Sequence, residues 1–562
     1  MDWTNKAIAR LLREVAAAHL LKGGNRFQIV AYENAADAIE HSTSEVKDLW
    51  EQKLLNVIPG IGEKLTEYLD ELITTGHVKH FESVKHGFPE EMFPLLDIPG
   101  VGPKTALKLV EAGISSIIDL ERRIQQEKLQ SQGWSNKVCA KILRGIQTLK
   151  RRENRMLLSF ANDIAVGIVE YLQKHSAVNR VDILGSLRRR VATVGDIDLA
   201  VASEKPKAVI DYFVKTPHST LEEQGEKTAT IILSNGVHID LMVEDPRSYG
   251  SLLQYLTGSK QHNIHLRTLA GDKGYSISEL GVKKVKTNEV IKCSTEDDVY
   301  HLLKMETPPP EMREDTGEIG AAQNRTLPNL LRLSDIKGDL HMHTTWSDGR
   351  ESLTAMVKAC EQLGYGYIAM TDHAYPSLDL HARHEEIEKA RKETKMHILE
   401  GLEVNITADG KLQASNDVLK NMDFNIAAIH TGFDQSRETL TKRLLVAIHH
   451  PSIHAIAHPT GRLLLERESY DVDWETVFRA CAKTGTLLEI NAYPNRLDLP
   501  DTLVRQAKDL GVLFLINTDA HHSSHLLHME YGVSVGRRGW LEAKDVVNTL
   551  NWAAFCGKVK KQ

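Results

Sequence analysis

From the first residues to about 150, apolar positions recur at spacings of three and four with few β-branched runs, the pattern of amphipathic helices. Two stretches here repeat each other, IPGIGEK at 58–64 and IPGVGPK at 98–104. Each runs into a further helical pattern, LTEYLDEL and TALKLVEAG. From about 180 the texture changes to short β-rich runs at 181–184, 198–202, 228–233 and 237–243. Residues 308–329, PPPEMREDTGEIGAAQNRTLPN, are Pro-rich and then acidic, lack apolar periodicity and read as a linker. Beyond them, β-like runs (IAM, FNIAAIH, HAIAHP, LLEI, LFLINTD) alternate with helical ones, which predicts parallel strands joined by crossover helices.

Composition adds bounds. A chain of 562 residues is too long for one core and is expected to hold about three to five units. The start, MDWTNKAIAR, has no apolar h-region, so no secretory signal is expected. The longest apolar runs, such as 512–516, fall far short of the ~18 residues of a membrane span, so no membrane partner is expected. Five cysteines (Cys139, Cys293, Cys360, Cys481, Cys556) form no close pairs, which points to reduced thiols and a cytoplasmic location. The net charge of −7 conceals eleven Lys or Arg against four Asp or Glu in 141–190, either a solvated helix face or a phosphate-facing stripe. Fifteen of the 26 histidines lie in 341–562, so metal chemistry is to be sought there.

A Pro-Gly-x-Gly turn opening a helix bares backbone N–H groups at the positive end of the helix dipole, a seat for a phosphate oxygen that reads no base. Here Gly60 and Gly62 precede Lys64, and Gly100 and Gly102 precede Lys104. Two copies with a lysine at the same offset favour grip on a nucleic-acid backbone over two ordinary corners.

In VGDIDLA at 194–200 two carboxylates alternate with apolar residues, so a strand places Asp196 and Asp198 on one face. The run VHIDLM at 237–242 offers a third acid, Asp240, on another strand. Three acids at one edge suit two Mg²⁺ or Mn²⁺ ions about 3.5–4 Å apart, the arrangement for in-line phosphoryl transfer. Upstream, Gly185 and Ser186 allow close backbone approach, and Arg189 offers a planar fork for a triphosphate.

Gly-Ser-x-Arg-Arg at 185–189 followed by Gly-Asp-x-Asp at 195–198 resembles the signature of the family X nucleotidyltransferases. Tyr255, Gly258, Asn263 and Arg267 also match polymerase beta in order and spacing, and the repeats look like its helix-hairpin-helix motifs. The resemblance implies that Asp196, Asp198 and Asp240 bind the catalytic metals, with Gly185, Ser186, Arg189 and Gly195 at the triphosphate. It further implies Tyr255 at the incoming sugar, Asn263 at its base edge and Arg267 on the template side. Tyr68 stands where polymerase beta carries its Schiff-base lysine, and a phenol forms no imine, so beta-like lyase activity is not expected. Leu256 replaces a frequent aromatic and Val194 a hydroxyl-bearing residue, which is expected to alter sugar discrimination and triphosphate affinity.

His341-x-His343 opens the last region, and Asp348, Asp372-His373, Glu403, His430, His458, Asp519 and His521 follow, mostly at the ends of predicted strands. Ligands at the carboxyl ends of successive parallel strands converge in a barrel. Their order resembles the polymerase-and-histidinol-phosphatase (PHP) superfamily. That resemblance implies one ion among His341, His343, Glu403 and Asp519, a second held by Glu403, His430 and His458, and a third by Asp348, His373 and His521. Mixed nitrogen and oxygen donors favour Mn²⁺ or Zn²⁺.

The expected whole is a multidomain α+β chain similar to bacterial family X DNA polymerases with a PHP domain. It comprises a helical DNA-binding domain at 1–90, a fingers-type domain at 91–150, a palm with a mixed sheet at 151–245, a thumb-type domain at 246–312, a linker at 313–335 and a distorted α/β barrel at 336–562. The expected function is gap filling in DNA repair with dNTPs on gapped, nicked or primer-template DNA, by a monomer. The barrel would act on DNA as a 3′–5′ exonuclease, abasic-site endonuclease or 3′-phosphatase. The alternatives are a barrel that is a scaffold or a small-molecule phosphatase, and RNA-directed or tRNA nucleotidyl transfer for the first half.

Overall fold

In a computed structural model, the structure describes residues 3, 5–40, 46–51, 55, 58, 61–98, 100–126, 128–131, 133–153 and 155–559. Among the described residues up to 153 the regular structure is helical, as the spacing predicts, and it forms two separate cores. One packs helices Asn5–Leu21, Arg26–Glu40 and Glu63–Thr75 around Leu12, Ile39 and Leu69. The other packs Pro103–Glu111, Ile117–Gln125 and Asn136–Glu153 around Leu109, Leu120 and Ile142. No described helix is long and apolar enough to cross a membrane.

The palm is a five-stranded mixed sheet of β1 (Arg180–Ile183), β2 (Ile197–Ala202), β3 (Ser219–Gln224), β4 (Thr228–Leu233) and β5 (His238–Glu244), in the order β1-β2-β5-β4-β3. Only β2 and β5 run parallel. Helices Leu158–Gln173 and Pro206–Phe213 pack on it through Ala165, Leu172 and Phe213. The edge strand β3, STLEEQ, is exposed along almost its whole length and so shows no apolar alternation. The thumb follows: helices Tyr249–Thr257 and Lys260–Asp272, then an antiparallel sheet of β6 (Tyr275–Ser278), β7 (Gly281–Lys284) and β8 (Val290–Ile291).

Residues 313–335, read from the sequence as a linker, are packed as a strap between the two halves. Arg313 is 1% exposed and donates to Glu296 Oε1 at 2.6 Å. Glu318, which opens helix Glu318–Asn324, lies 2.6 Å from buried His262 Nδ1, whose Nε2 is 2.9 Å from the Tyr300 hydroxyl. Polar side chains anchor this segment, so hydrophobic periodicity does not announce it.

The C-terminal region is a seven-stranded sheet in sequential order: β9 (Gly338–Asp339), β10 (Tyr367–Met370), β11 (His397–Asn405), β12 (Phe424–Ala428), β13 (Ala455–Ile456), β14 (Leu487–Asn491) and β15 (Phe514–Asn517). Every pairing is parallel. A parallel bridge from Met342 to Ala520, with His343 N donating to the Ala520 carbonyl at 2.8 Å, draws the first and last strands together into a nearly closed barrel. Strands β10, β12, β14 and β15 are buried at every position, because core residues and crossover helices cover both faces.

Candidate active sites

In the palm, the parallel register sets Asp198 of β2 directly opposite Asp240 of β5. Asp196, two residues before Asp198, is exposed in the bend just ahead of the strand, and both it and Asp240 act on the Asp198 carboxyl, so the three carboxylates share one edge. Burial and the neighbouring carboxylates of Asp196 and Asp240 push the Asp198 carboxyl up to about 7. Thr230 of β4 donates its hydroxyl to Asp240 Oδ1 and fixes that carboxylate. Gly185 stands over the site with φ +61°, and a Cβ there would lie 1.9 Å from Asp198 Oδ2, so only glycine fits.

The remaining nucleotide-site candidates lie around this edge. Ser186 follows Gly185 in the single turn Gly185–Arg188, and Gly195 precedes Asp196. Arg189 donates from Nε to Glu314 Oε1 at 3.0 Å and from Nη1 to the Thr257 carbonyl at 2.6 Å. Gly258 and Ser259 separate the two thumb helices. Asn263 donates to the Tyr255 carbonyl at 2.7 Å and accepts from buried Gln254 at 2.8 Å, while exposed Arg267 donates to the Asn263 carbonyl at 3.2 Å. Arg188 and Arg190 of the basic stretch 141–190 are engaged with Glu296 and Asn162.

The two hairpins have matching geometry. Ile61 N donates to the Ile58 carbonyl at 3.1 Å, and Val101 N to the Ile98 carbonyl at 3.0 Å. Gly62 and Gly102 cap the following helices with φ −86° and −90°, and Lys64 and Lys104 are exposed in their first turns. Gly100 adopts φ +86°, and Gly60 lies outside the described residues. Tyr68 stacks on His80 with ring centroids 4.9 Å apart.

At the carboxyl ends of the barrel strands, Glu403 of β11 gathers five imidazoles. Its Oε2 lies 3.5 Å from His341 Nε2, 3.5 Å from His343 Nε2 and 3.0 Å from His373 Nδ1. Its Oε1 lies 3.1 Å from His430 Nε2 and 2.9 Å from His458 Nε2. Asp519 Oδ1 is 3.3 Å from both His341 Nε2 and His343 Nε2, which are 3.2 Å apart. On the other flank Asp348 Oδ2 is 3.4 Å from His373 Nε2 and 3.3 Å from His521 Nε2. His373 therefore spans from Glu403 to Asp348. Burial raises the Glu403 carboxyl, but His373, His430 and His341 outweigh it and hold it well below the usual carboxylate range. Burial likewise lowers His458, helped by Arg496, to about 4.

These spacings fit metal ions. Ligands about 2.0–2.1 Å from a tetrahedral ion stand roughly 3.3–3.4 Å apart. The five separations that His341 and His343 make with each other, with Glu403 and with Asp519 run from 3.2 to 3.5 Å. A cavity of about 680 Å³ opens over the cluster, lined from the barrel by His373, Tyr375 and His430 and from the first helical domain by Leu49, Ile58 and Ile61.

Four family profiles match the chain: a "Helix-hairpin-helix domain" at 3–78, a "SAM-like Helix-hairpin-helix tandem" at 93–148, a "DNA polymerase beta thumb" at 252–314 and a "PHP domain" at 339–492. The chain is 35% identical to the DNA polymerase/3′-5′ exonuclease PolX of Bacillus subtilis (strain 168), covering 97% of each. It belongs to the PolX family: family X DNA polymerases fused to a PHP domain. Two further relatives match part of the chain. A probable phosphatase of Thermoanaerobacter sp. (strain X514) is 29% identical over 40% of this chain and 92% of its own length. DNA polymerase lambda of Rattus norvegicus is 24% identical over 55% of this chain and 56% of its own.

Several residues that shape this PolX barrel site belong to none of the motifs read from the chain. Glu489 of β14 lies 2.8 Å from His341 Nδ1 and accepts from His458 N at 2.7 Å and Asn517 Nδ2 at 3.0 Å. Asn491, also on β14, donates to Asp519 Oδ2 at 3.1 Å. The signal available is the string LLEIN itself, because a carboxylate within a fully buried strand requires partners. Asp372, read from the chain as a candidate beside His373, accepts from Thr344 N at 2.7 Å and Arg383 Nε at 2.9 Å, and so anchors the loop carrying Asp348.

Proposed function

We propose that the palm adds dNTPs to 3′-hydroxyl ends in DNA gaps by two-metal nucleotidyl transfer, and that the barrel hydrolyses phosphoesters at DNA ends. The in-register pairing of Asp198 with Asp240, beneath a glycine that admits close backbone approach, carries the first half of this reading. Asp196, Asp198 and Asp240 would hold two Mg²⁺ or Mn²⁺ ions, which supply charge to the attacking and leaving oxygens when bound. Gly185, Ser186, Gly195 and Arg189 orient the triphosphate, Tyr255 meets the sugar, Asn263 the base edge and Arg267 the template. The hairpins at Gly62–Lys64 and Gly100–Lys104, with Gly60, seat backbone phosphates without reading sequence. A monomer in the cytoplasm suffices for this work.

In the barrel, His341, His343, Glu403 and Asp519 would hold one ion, Glu403, His430 and His458 a second, and Asp348, His373 and His521 a third. Bound Mn²⁺ or Zn²⁺ there would lower the pKa of a water and neutralise phosphate charge. Among substrates, a DNA end is favoured over a small metabolite because the first hairpin, through Ile58 and Ile61, walls the cavity above the cluster. The reactions this supports are 3′–5′ exonuclease, abasic-site endonuclease or 3′-phosphatase.

The test is a duplex with a one-nucleotide gap and a 5′-phosphate. The protein is expected to fill the gap with dNTPs, and to shorten or dephosphorylate the 3′ end without them in Mn²⁺. Extension without end processing would leave the barrel as a scaffold, and no extension would overturn the polymerase reading.

Two further outcomes follow from the geometry. Glu489→Gln keeps the shape of the acceptor beside His341 but removes its charge, so end processing is expected to fall about 10–100-fold with extension unchanged. Wild-type rates in both assays would remove Glu489 from the site. In the palm, Asp198 must ionise to hold a cation, and its carboxyl sits at about 7. Mg²⁺ affinity is therefore expected to fall below pH 7, approaching about tenfold per pH unit in calorimetric titration. A flat profile from pH 6 to 8 would contradict this.

A further inference from the structure

Arg189 does not hold its geometry alone. Its Nε donates to Glu314 Oε1 at 3.0 Å and its Nη1 to the Thr257 carbonyl at 2.6 Å, and these two contacts fix the plane of the guanidinium. Glu314 belongs to the strap between the two halves, and its Oε1 is shared. Arg538, the last residue of barrel helix Met529–Arg538, donates from Nη1 to that same oxygen at 3.0 Å and to the Arg189 carbonyl at 2.8 Å. Its Nε donates to Asp501 Oδ2 at 2.7 Å, which ties it back to the barrel, and its side chain is only 9% exposed.

We propose that Arg538 of the barrel is a positioning residue of the polymerase nucleotide site, acting through Glu314 on Arg189. This rests on the reading of Arg189 as a triphosphate ligand. A carboxylate shared by two guanidinium groups is pinned between them. Without Arg538, Glu314 follows Arg189 instead of holding it, and the Arg189 main chain loses its anchor. The nucleotide then meets a guanidinium that must be ordered on binding. The neighbouring Arg537 ties the same strap separately, donating to Glu311 Oε1 at 2.7 Å and to the Leu331 carbonyl at 2.9 Å. The barrel therefore stays docked when the Arg538 side chain is shortened.

The experiment is steady-state gap filling by the full chain with Arg538→Ala, Arg538→Lys, Arg189→Ala and the Arg189→Ala/Arg538→Ala pair, alongside 3′-end processing by each. Arg538→Ala is expected to raise KM for dNTP by roughly fivefold to twentyfold with kcat within about twofold, and to leave end processing unchanged. Arg538→Lys is expected to recover only part of that, because one ammonium cannot serve Glu314, the Arg189 carbonyl and Asp501 together. In the Arg189→Ala background, Arg538→Ala is expected to add nothing, since its effect passes through Arg189. An equal KM effect in both backgrounds, or none in Arg538→Ala while Arg189→Ala is impaired, overturns the proposal. If Arg189→Ala itself leaves KM unchanged, the triphosphate reading of Arg189 fails, and the proposal with it.

Discussion

Asp198→Asn is expected to lower gap filling by on the order of 10³-fold or more while end processing continues at the wild-type rate. The substitution is isosteric, so β2 keeps its register and Gly185 its clearance. What is lost is one of the three negative charges proposed to hold two divalent ions. The same variant has a second, opposite signature. The folded-state pKa of Asp198 is raised from 3.8 to about 7, so the folded chain retains a proton that the unfolded chain releases across that range. Stability of the metal-free protein therefore falls as pH rises between those values. The amide introduced by Asp198→Asn carries no such proton, so with chelator present the melting temperature of the variant should exceed that of the wild type increasingly from pH 5 to pH 8. Loss of extension together with a gain in metal-free stability marks a charge kept for catalysis at a cost to folding. Full extension activity in Asp198→Asn would remove the residue from the metal site.

Glu403→Gln is expected to abolish end processing, again by on the order of 10³-fold or more, with gap filling retained. Five imidazoles from four loops close on this one carboxylate, which stands at the centre of the cluster. An amide donates from one end and accepts at the other, so it cannot accept on both flanks. The variant should lose bound metal by elemental analysis. It should also lose about 3–5 kcal/mol of barrel stability without metal, the usual cost of removing one partner from a buried ionic cluster. Unchanged metal content would show that Glu403 bridges no ions.

Much of this arrangement is legible in the chain. The repeated Pro-Gly-x-Gly turns, the alternation around Asp196 and Asp198, and the β-like runs ending in histidine each leave a local imprint, because function there needs particular residues at fixed spacing. The strands at 228–233 and 197–202 emerge because their apolar residues face a core. What stays hidden has no local imprint. Strand β11 carries buried Glu400 beside Gly401, and Glu400 is satisfied by Arg383 and His384 from a neighbouring helix, so the run reads as polar. Glu489 supports His341 across 148 positions of chain, a relation set by barrel closure alone. The strap at 313–335 looks unstructured because its partners, Glu296 and His262, lie in another domain.

That strap also bears on how such a chain can change over time. Two separate genes joined by a loose tether can be parted again without loss. Here a break after residue 312 would strip His262 of its carboxylate and Arg189 of Glu314, and would take Glu311 from Arg537 and the Arg189 carbonyl from Arg538. Either fragment would need new partners before it could stand alone. The join works as a ratchet, because each half completes contacts that the other needs.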